Sequence, residues 1–332
     1  MIGSPDRTVF PHAGNGLRIP YSASFYTAGS CFAEALSQHL FQHKFNVLNH
    51  PFGIVFNPIS MARQFELLLG DYTYTLSDLI YHDGMFHSPD HHGQYSNAEP
   101  EALLFRIHEE LQAARNNISR LNWMVLTLGS SHYYVYRKRQ TPVANCHKIP
   151  NSEFEKIRAR LEDSVTALSH AIQGLLDCNP TLNIIITVSP VRYLKDGFVE
   201  NSRSKASLLL CCEQLCCRFP QVHYFPSYEI FMDDLRDYRY AADDLVHPSK
   251  NAVKYIWSYF ERNFFDEKAT QLIRKMESLQ QLLNHRILHK DSDQVWMMKD
   301  KLIQMLEQLK QEYPLLNFES EEHLIKEKFF RD

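Results

Sequence analysis

Short apolar runs alternate along the chain with longer stretches whose apolar residues recur at helical spacing. The runs that predict strands are SASFYTA at 22–28, FNVLNHPFG at 45–53, WMVLTLG at 123–129, LNIIITVSP at 182–190 and VHYF at 222–225. The stretches that predict helices are 31–43, 58–70, 99–120, 152–177, 200–218 and 248–264. Apolar strands that are separated by helices are typical of a parallel sheet covered on both faces. The pattern therefore predicts a doubly wound α/β fold, a three-layer sandwich around a central parallel sheet of about five strands.

The composition changes after residue 265. Residues 266–313 contain no Gly or Pro, are dense in Gln, Lys, Glu and Leu, and carry apolar residues at helical spacing. They predict one or two long amphipathic helices, or a helical hairpin broken near Asp291–Asp293. We therefore expect a first domain at 1–265 and a C-terminal helical extension at 266–332. The extension is either a cap on the sheet domain or a surface for a partner, including a second copy in a homodimer.

Composition and charge narrow the class of protein. Of the 332 residues, 44% are hydrophobic and 22% charged, which excludes a largely disordered chain. The net charge of -4 gives no basic excess for nucleic acid or an anionic membrane surface. No apolar run approaches the roughly 20 residues that cross a bilayer, and the first residues lack the apolar segment of a secretory signal. We expect a cytoplasmic protein with no nucleic-acid or membrane partner.

The seven cysteines do not form the pattern of a disulfide framework. Four of them crowd together, at 211, 212, 216 and 217, within an apolar helical segment. They form either a soft-metal or redox site, or part of the apolar stripe of the helix. Spacings of four and five residues favour packing in the core, where a free Cys behaves as a small hydrophobe.

Two loops carry residues that suit nucleophilic catalysis. Ser30 follows the first predicted strand and opens a helix, whose free N–H groups and positive dipole end suit a nucleophile that generates an oxyanion. The alternative for Ser30 is a helix N-cap. Asp244 and His247 lie three residues apart before the last helix of the predicted sheet domain, so the carboxylate could orient the imidazole as a general base. The alternative for this pair is a capping Asp beside a solvent-exposed His.

A serine on the loop after the first strand, with Asp-x-x-His near the end of an α/β domain, resembles the layout of the SGNH (GDSL-like) hydrolases. Gly29-Ser30-Cys31-Phe32-Ala33 further spells the motif of the GSCFA family, which is grouped with them. The resemblance covers roughly residues 20–265. Other segments that resemble the family are FGIVFNPIS (52–60), TLGSSHYY (127–134), VANCHKIP (143–150), TVSPVRYLKDG (187–197) and NSRSKA (201–206).

The resemblance implies a serine esterase or O-acyl hydrolase that works through an acyl-enzyme, without a cofactor, on a small-molecule or carbohydrate ester. It makes Ser30 the nucleophile, His247 the base and Asp244 its partner. An acyltransferase with the same site is the close alternative. A protein that binds a carbohydrate or protein partner without catalysis is a second class. A hydrolase that uses the thiol of Cys31 is a third.

The resemblance also assigns the oxyanion hole. It implies backbone N–H donors from Ser30 and Gly53. SGNH hydrolases usually add the Asn of a Gly-x-Asn-Asp block, where this chain has Gly129-Ser130-Ser131-His132. The third donor is therefore open: it is Ser131, Asn57 or Asn145.

Other polar residues are weaker candidates. The segment 82–92 contains four histidines, which form either a metal site or, by the resemblance, part of a substrate loop. Cys146 beside His147 is either a second thiol site or a buried Cys with a hydrogen-bonded His. Arg192, Arg203 and Lys205 either recognise an anionic or polyhydroxyl substrate or are surface charges. Of these residues, we assign substrate contacts to five and metal ligation to none; the five are His91, His92, His147, Arg192 and Arg203.

Overall fold

The computed structural model describes residues 8–11, 16–285 and 293–330. The chain divides by its contacts into two compact units. The described residues of the first unit are 8–11, 24–37 and 47–258, and those of the second are 16–23, 38–46, 259–285 and 293–330. The sequence predicted a single division at residue 265. The contacts instead place the last division at residue 258 and assign two short N-terminal segments to the second unit.

Strands and helices alternate along most of the chain. The strands are β1 (Ser24–Gly29), β2 (Asn46–Asn49), β3 (Ile80–His82), β4 (Met85–His87), β5 (Trp123–Leu128), β6 (His132–Tyr136), β7 (Thr141–Val143), β8 (Phe154–Arg158), β9 (Asn183–Val188) and β10 (Val222–Tyr224). The helices are α1 (Cys31–Gln42), α2 (Pro58–Leu69), α3 (Pro100–Ile118), α4 (Leu161–Cys178), α5 (Phe198–Arg218), α6 (Ser227–Glu229), α7 (Lys250–Phe264), α8 (Glu267–Asn284), α9 (Asp293–Glu312) and α10 (Glu319–Phe330).

Five strands form a central sheet in the order β10-β9-β5-β1-β2. The pairs β1–β5, β5–β9 and β9–β10 are parallel. Every residue of β5 is buried, as are the last five of β1 and of β9, because the sheet is covered on both faces. Residues of α2, α3, α4 and α5 form one apolar core with alternate residues of these strands. The predicted α/β sandwich is therefore confirmed.

Two small antiparallel sheets were not indicated by the apolar pattern. One is the hairpin β3–β4, and the other has the order β7-β6-β8. The helix predicted over 152–177 is wrong in its first part, because β8 occupies that part and α4 begins at Leu161. Phe154, Ile157 and Leu161 recur at helical spacing, yet Phe154 packs with Tyr136 in the core of the small sheet. Tertiary pairing with β6 overrides the local pattern here.

The strand order has one point at which its direction reverses. The strand β2 lies on one side of β1, and β5, β9 and β10 lie on the other. The order therefore reverses between β1 and β5, and open α/β sheets bind ligands at the carboxyl ends of the strands at such a point. Ser30 follows β1 and Gly129 follows β5, so both lie at this edge.

The second unit is largely helical. Its α8 and α9 confirm the amphipathic pattern, while most of the predicted break at Asp291–Asp293 lies outside the described residues. The helix α9 ends two residues before Pro314, as expected of a residue that disfavours helix before it. No helix in the described ranges is both long and apolar enough to cross a membrane. Buried apolar residues of α8, α9 and α10 form its core: Leu272, Met276, Leu279, Leu302, Leu306, Leu309 and Ile325.

Gly29 lies so close to the backbone of β5 that a substitution there tests the central sheet. Its φ is 133°, and a Cβ there would lie 2.2 Å from the carbonyl oxygen of Thr127. We expect Gly29→Ala to lower the free energy of unfolding by about 3 kcal/mol or more, because backbone must shift and the conformation is strained. The measurement is urea denaturation followed by circular dichroism.

Gly84→Ala is the matched control for this substitution. Gly84 also has a positive φ, 75°, but a Cβ there would meet nothing within 4 Å. It should therefore cost only about 1 kcal/mol, the price of the left-handed conformation. Equal losses for the two variants would show that Gly29 does not approach Thr127 closely.

Candidate active site

Ser30 lies between the last residue of β1 and the first residue of α1, beside the point where the strand order reverses, and is 6% exposed. Its Oγ accepts a hydrogen bond from the N–H of Phe32 at 3.2 Å, which is an N-cap contact. Its own N–H donates to the carbonyl of Thr127 at 3.1 Å. The hydroxyl hydrogen is still available for donation, so capping the helix does not prevent Ser30 from giving a proton to a base.

Asp244 and His247 form a hydrogen-bonded pair. Nδ1–H of His247 donates to Oδ2 of Asp244 at 2.6 Å, and Oδ1 accepts the N–H groups of Val246 and His247, each at 2.9 Å. The loop is closed by a bond from the N–H of Ala242 to the carbonyl of His247, with Leu245 at a φ of 60° between them. Because Nδ1 holds the proton, Nε2 is left as an acceptor, which is the arrangement of a general base.

The same contacts fix the charge of Asp244. The backbone N–H groups of His247 and Val246, followed by the His247 side chain, lower the pKa of Asp244 to about 2. The carboxylate is therefore ionised at neutral pH and can stabilise an imidazolium. The described contacts include no hydrogen bond between Ser30 and His247: the serine hydroxyl contacts Phe32, and the imidazole contacts Asp244.

A loop after β2 runs across the ends of β1 and β5. The N–H of Val55 donates to the carbonyl of Gly29 at 3.1 Å, and the carbonyl of Phe56 accepts the N–H of Gly129 at 2.8 Å. Gly53, earlier in this loop, has a φ of 73°, and a Cβ there would lie 2.6 Å from Cβ of His92. Gly53 is thus required for this close approach, and the loop is fastened to the strand that carries Ser30.

The donors expected in an oxyanion hole are engaged elsewhere in this structure. The N–H of Gly53 donates to the carbonyl of His50 at 3.0 Å, as that of Ser30 does to Thr127. Ser131 is wholly buried and directs its N–H and O–H to Oγ of Ser204, at 2.7 and 3.1 Å. These groups therefore stabilise the resting loops.

The two asparagines considered as replacements are also engaged. Asn57 caps α2: its Oδ1 accepts the N–H of Ser60 at 2.8 Å, and its Nδ2 donates to Ser60 Oγ at 3.0 Å. Oδ1 of Asn145 accepts the N–H of His147 at 2.8 Å. Both atoms of the Asn57 amide are therefore engaged, whereas the described hydrogen bonds of the Asn145 side chain involve its oxygen alone.

Two of the histidines expected to touch substrate lie in the interior. His91 is 0% exposed, packs against the rings of Phe52, Tyr74 and Tyr95, and has a pKa well below its ordinary value because of burial. His147 is also buried, and burial lowers its pKa to about 4. The side chain of His91 therefore reaches no surface, whereas His147 is 7% exposed, and a substrate contact of either residue stays a prediction.

These buried histidines are held by a shared residue. Ser88 contacts Nδ1 of His91 through its hydroxyl, at 2.7 Å, and accepts a hydrogen bond from Nε2 of His147 through its carbonyl, at 2.7 Å. His92 lies against Gly53 and its Nδ1 is buried. Within the described residues, no three His, Cys, Asp or Glu side chains are grouped to hold a metal ion.

The clustered cysteines of α5 differ in burial. Cys211 and Cys212 are buried in the core with α4 and the sheet, so core packing is confirmed for them, whereas Cys217 is exposed.

The thiols of Cys31 and Cys146 were the candidates for thiol chemistry. Desolvation raises the pKa of the Cys31 thiol and raises that of Cys146 to about 11. Both thiols therefore stay protonated at neutral pH, which makes them poor nucleophiles.

Arg192, which follows β9, and Arg203 and Lys205, which lie on α5, do not form one cluster. Arg192 donates to the carbonyl of Leu245 at 2.6 Å, and Arg203 pairs with Glu200 on the exposed side of α5. Lys205 is buried and donates to two backbone carbonyls. Its burial was missed, although its position three residues before Leu208 places it on the apolar stripe of the helix.

The pKa of Asp244 gives a test of the histidine loop. Its carboxylate contacts are complete above the ordinary pKa of 3.8 and are lost as the pH falls towards about 2. We expect the carboxyl-carbon NMR shift of Asp244 to show this low value, and His247→Ala to raise it only in part, because two backbone donors remain. An ordinary pKa in the unmodified protein would contradict the loop geometry.

Comparisons with known proteins place the chain in a family. A similar solved structure is that of a carbohydrate esterase family 3 protein from Talaromyces cellulolyticus, with 11% sequence identity and a TM-score of 0.28. The match covers 78% of this chain and 99% of that chain. No curated protein sequence matches the chain. The model of the GSCFA family matches residues 24–260, so the fold and the Gly29–Ser30 turn described above are those of a member of the GSCFA family.

Proposed function

We propose that the protein is an SGNH-type serine esterase that hydrolyses O-acyl esters through a Ser30 acyl-enzyme. The observation that carries this proposal is the hydrogen bond from Nδ1 of His247 to Asp244, with Nε2 left as an acceptor. Membership of the GSCFA family supports it. So does the position of Ser30, at the switch point of the sheet and the N-terminus of α1.

In the proposed reaction, Nε2 of His247 takes the hydroxyl proton as Ser30 Oγ attacks the acyl carbonyl. The tetrahedral oxyanion collapses, the ester C–O bond breaks, and the leaving alkoxide receives the proton from His247. A water molecule then attacks the acyl-enzyme with His247 again as base, and the acid is released with Ser30 restored. Asp244 stays ionised and stabilises the imidazolium in both steps.

The reaction requires three hydrogen bonds to form, one on substrate binding and two as the oxyanion develops. Ser30 must donate to Nε2 of His247, and catalytic hydrogen bonds of this kind are often longer or unmade without substrate. The N–H groups of Ser30 and Gly53 must turn from the carbonyls of Thr127 and His50 to the oxyanion. A charged acceptor makes a hydrogen bond about twice as strong as a neutral carbonyl does, which favours the exchange in the transition state.

We propose an acylated carbohydrate as the substrate. Half-buried aromatic side chains lie at the strand ends: the rings of Phe56 and Tyr193 have centroids 6.1 Å apart, and Lys156 lies 5.8 Å from the rings of Tyr134 and Tyr193. The carbonyl of Phe56 is bonded to Gly129, so this aromatic group adjoins the loop that is fastened to β1. Aromatic faces with few polar groups suit the C–H face of a sugar ring.

A second candidate is a binding protein without catalysis on the same scaffold. One observation favours it: the backbone N–H groups of Ser30 and Gly53 donate to carbonyls within the chain, and the side-chain donors of Ser131 and Asn57 are also engaged there. Removing a single oxyanion donor costs about 10²–10³ in rate, so a site that never releases them would be nearly inactive.

Labelling with a fluorophosphonate separates the two candidates. We expect one adduct per chain, mapped to Ser30 by peptide mass spectrometry, because an activated serine attacks the probe's phosphorus. Ser30→Ala should give no adduct. His247→Ala should slow labelling by about 10²–10⁴-fold, since the base is lost.

The matched control for the nucleophile is Ser202→Ala. Ser202 is exposed on α5 and donates to the carbonyl of Phe198, far from any role in the proposed steps. It should label at the unmodified rate. A folded protein without any adduct would reject the esterase and favour the binding protein, and an adduct on Cys31 would favour thiol chemistry.

A further inference from the structure

Lys205 is a buried cation that the proposed reaction does not use. It lies on α5, is 1% exposed, and belongs to the largest fully buried side chains of the protein. Its Nζ donates to the carbonyl of Gly129 at 2.8 Å and to that of Ser189 at 2.7 Å, and lies 5.7 Å from the ring centre of Tyr228. Burying an ammonium costs free energy unless hydrogen bonds replace those that it made with water. The two carbonyls supply such hydrogen bonds, so the question is what these contacts do for the protein.

The two carbonyls belong to neighbouring strand ends. Gly129 follows β5 and Ser189 follows β9, and these strands are parallel partners with Leu128 opposite Val188. The N–H of Ser189 donates to the carbonyl of Leu128 at 2.7 Å. The ammonium therefore joins two loops at the carboxyl edge of the sheet, the edge on which Ser30 lies.

One loop leads from Lys205 to the nucleophile. The residue whose carbonyl Lys205 binds, Gly129, donates its N–H to the carbonyl of Phe56 at 2.8 Å. The neighbouring Val55 donates to the carbonyl of Gly29 at 3.1 Å, directly before Ser30. Three contacts thus connect the ammonium to the turn that carries the serine.

The other loop leads to the histidine. Oγ of Ser189 accepts the N–H of Val191 at 3.2 Å, which orders the start of the following loop. The next residue, Arg192, donates to the carbonyl of Leu245 at 2.6 Å. Leu245 lies between Asp244 and His247, so the second series of contacts ends on the turn that holds the general base.

We infer that Lys205 is a positioning residue, which holds the serine turn and the histidine turn in register through the carbonyls of Gly129 and Ser189. The inference rests on the proposed function for its catalytic consequence. The ammonium carries out no proton transfer and touches no reacting atom. Among the contacts described above, Lys205 is the side chain that binds both the loop after β5 and the loop after β9. Its removal therefore leaves the two loops without this connection.

The surroundings of Lys205 agree with this role. Burial lowers its pKa to about 7, because desolvation disfavours the charged form. The described hydrogen bonds of Nζ go to two backbone carbonyls rather than to a carboxylate, and the amine can donate both of them in either charge state. A lysine that served as an ion-pair partner would instead have a raised pKa.

The test compares Lys205→Met with the unmodified full-length protein. Met keeps most of the side-chain volume and removes both hydrogen bonds. We expect fluorophosphonate labelling of Ser30 to slow by about 10- to 100-fold, since a shift of about 1 Å in a catalytic group has effects of this size. We also expect faster amide hydrogen exchange, by mass spectrometry, in the segments 53–57 and 240–249.

Arg218→Met is the matched control. Arg218 is a cation on the same helix, but it donates to Oγ of Ser169 on α4, away from the strand ends. It should leave both the labelling rate and the exchange of the two segments unchanged. A loss equal to that of Lys205→Met would overturn the inference, because it would mean that any cation on α5 matters only for stability.

The remaining outcomes each decide the inference. Labelling of Lys205→Met at the unmodified rate, or unchanged exchange in both segments, overturns it. If the unmodified protein is not labelled, the esterase proposal fails, and the exchange of the two segments alone decides the role of Lys205. If Lys205→Met does not fold, Arg192→Met takes its place: slower labelling with faster exchange in 240–249 alone supports the inference, and unchanged labelling overturns it.

Discussion

The close approach of Gly29 to the backbone of β5 is the constraint on which the site depends. A side chain at 29 would occupy the space of the Thr127 carbonyl, so the end of β1 approaches β5 at a distance that only glycine allows. Because the next residue continues the pairing through its N–H, Ser30 leaves the sheet in a fixed direction and caps α1 at once. The position of Ser30, the proposed nucleophile, thus depends on the absence of a Cβ at residue 29.

The same hydrogen-bonding groups serve stability and the proposed chemistry. Buried N–H groups must be paired in the resting protein, and those of Ser30 and Gly53 find backbone carbonyls at the strand ends. An oxyanion that forms beside them offers a stronger acceptor than either carbonyl. Exchange of partners is then favoured only while the negative charge exists, which is the differential stabilisation that catalysis requires.

Local pattern was enough to predict the central sheet and insufficient for the small ones. The strand WMVLTL is apolar at every position because both its faces are covered, a signal that does not depend on distant residues. The strand at 154–158 has no such signal: its place is set by pairing with β6, and its apolar spacing imitates a helix. The Asp244–His247 contact was predictable from a spacing of three, whereas the burial of His91 depends in part on the rings of Phe52 and Tyr74, which lie well before it in the sequence.

Lys205 lies on the apolar face of α5, and its amine reaches the ends of two strands of the central sheet. Carbonyl oxygens accumulate at the carboxyl edge of a parallel sheet, and their partial negative charges oppose an oxyanion forming there. Nζ of Lys205 donates to two of these oxygens, at Gly129 and Ser189, and so partly neutralises their partial charge where the two loops meet. An apolar residue of the same size would fill the space but leave both carbonyls without this donor. In the inferred role, the side chain thus fixes the loops that carry the serine and histidine turns through these two hydrogen bonds.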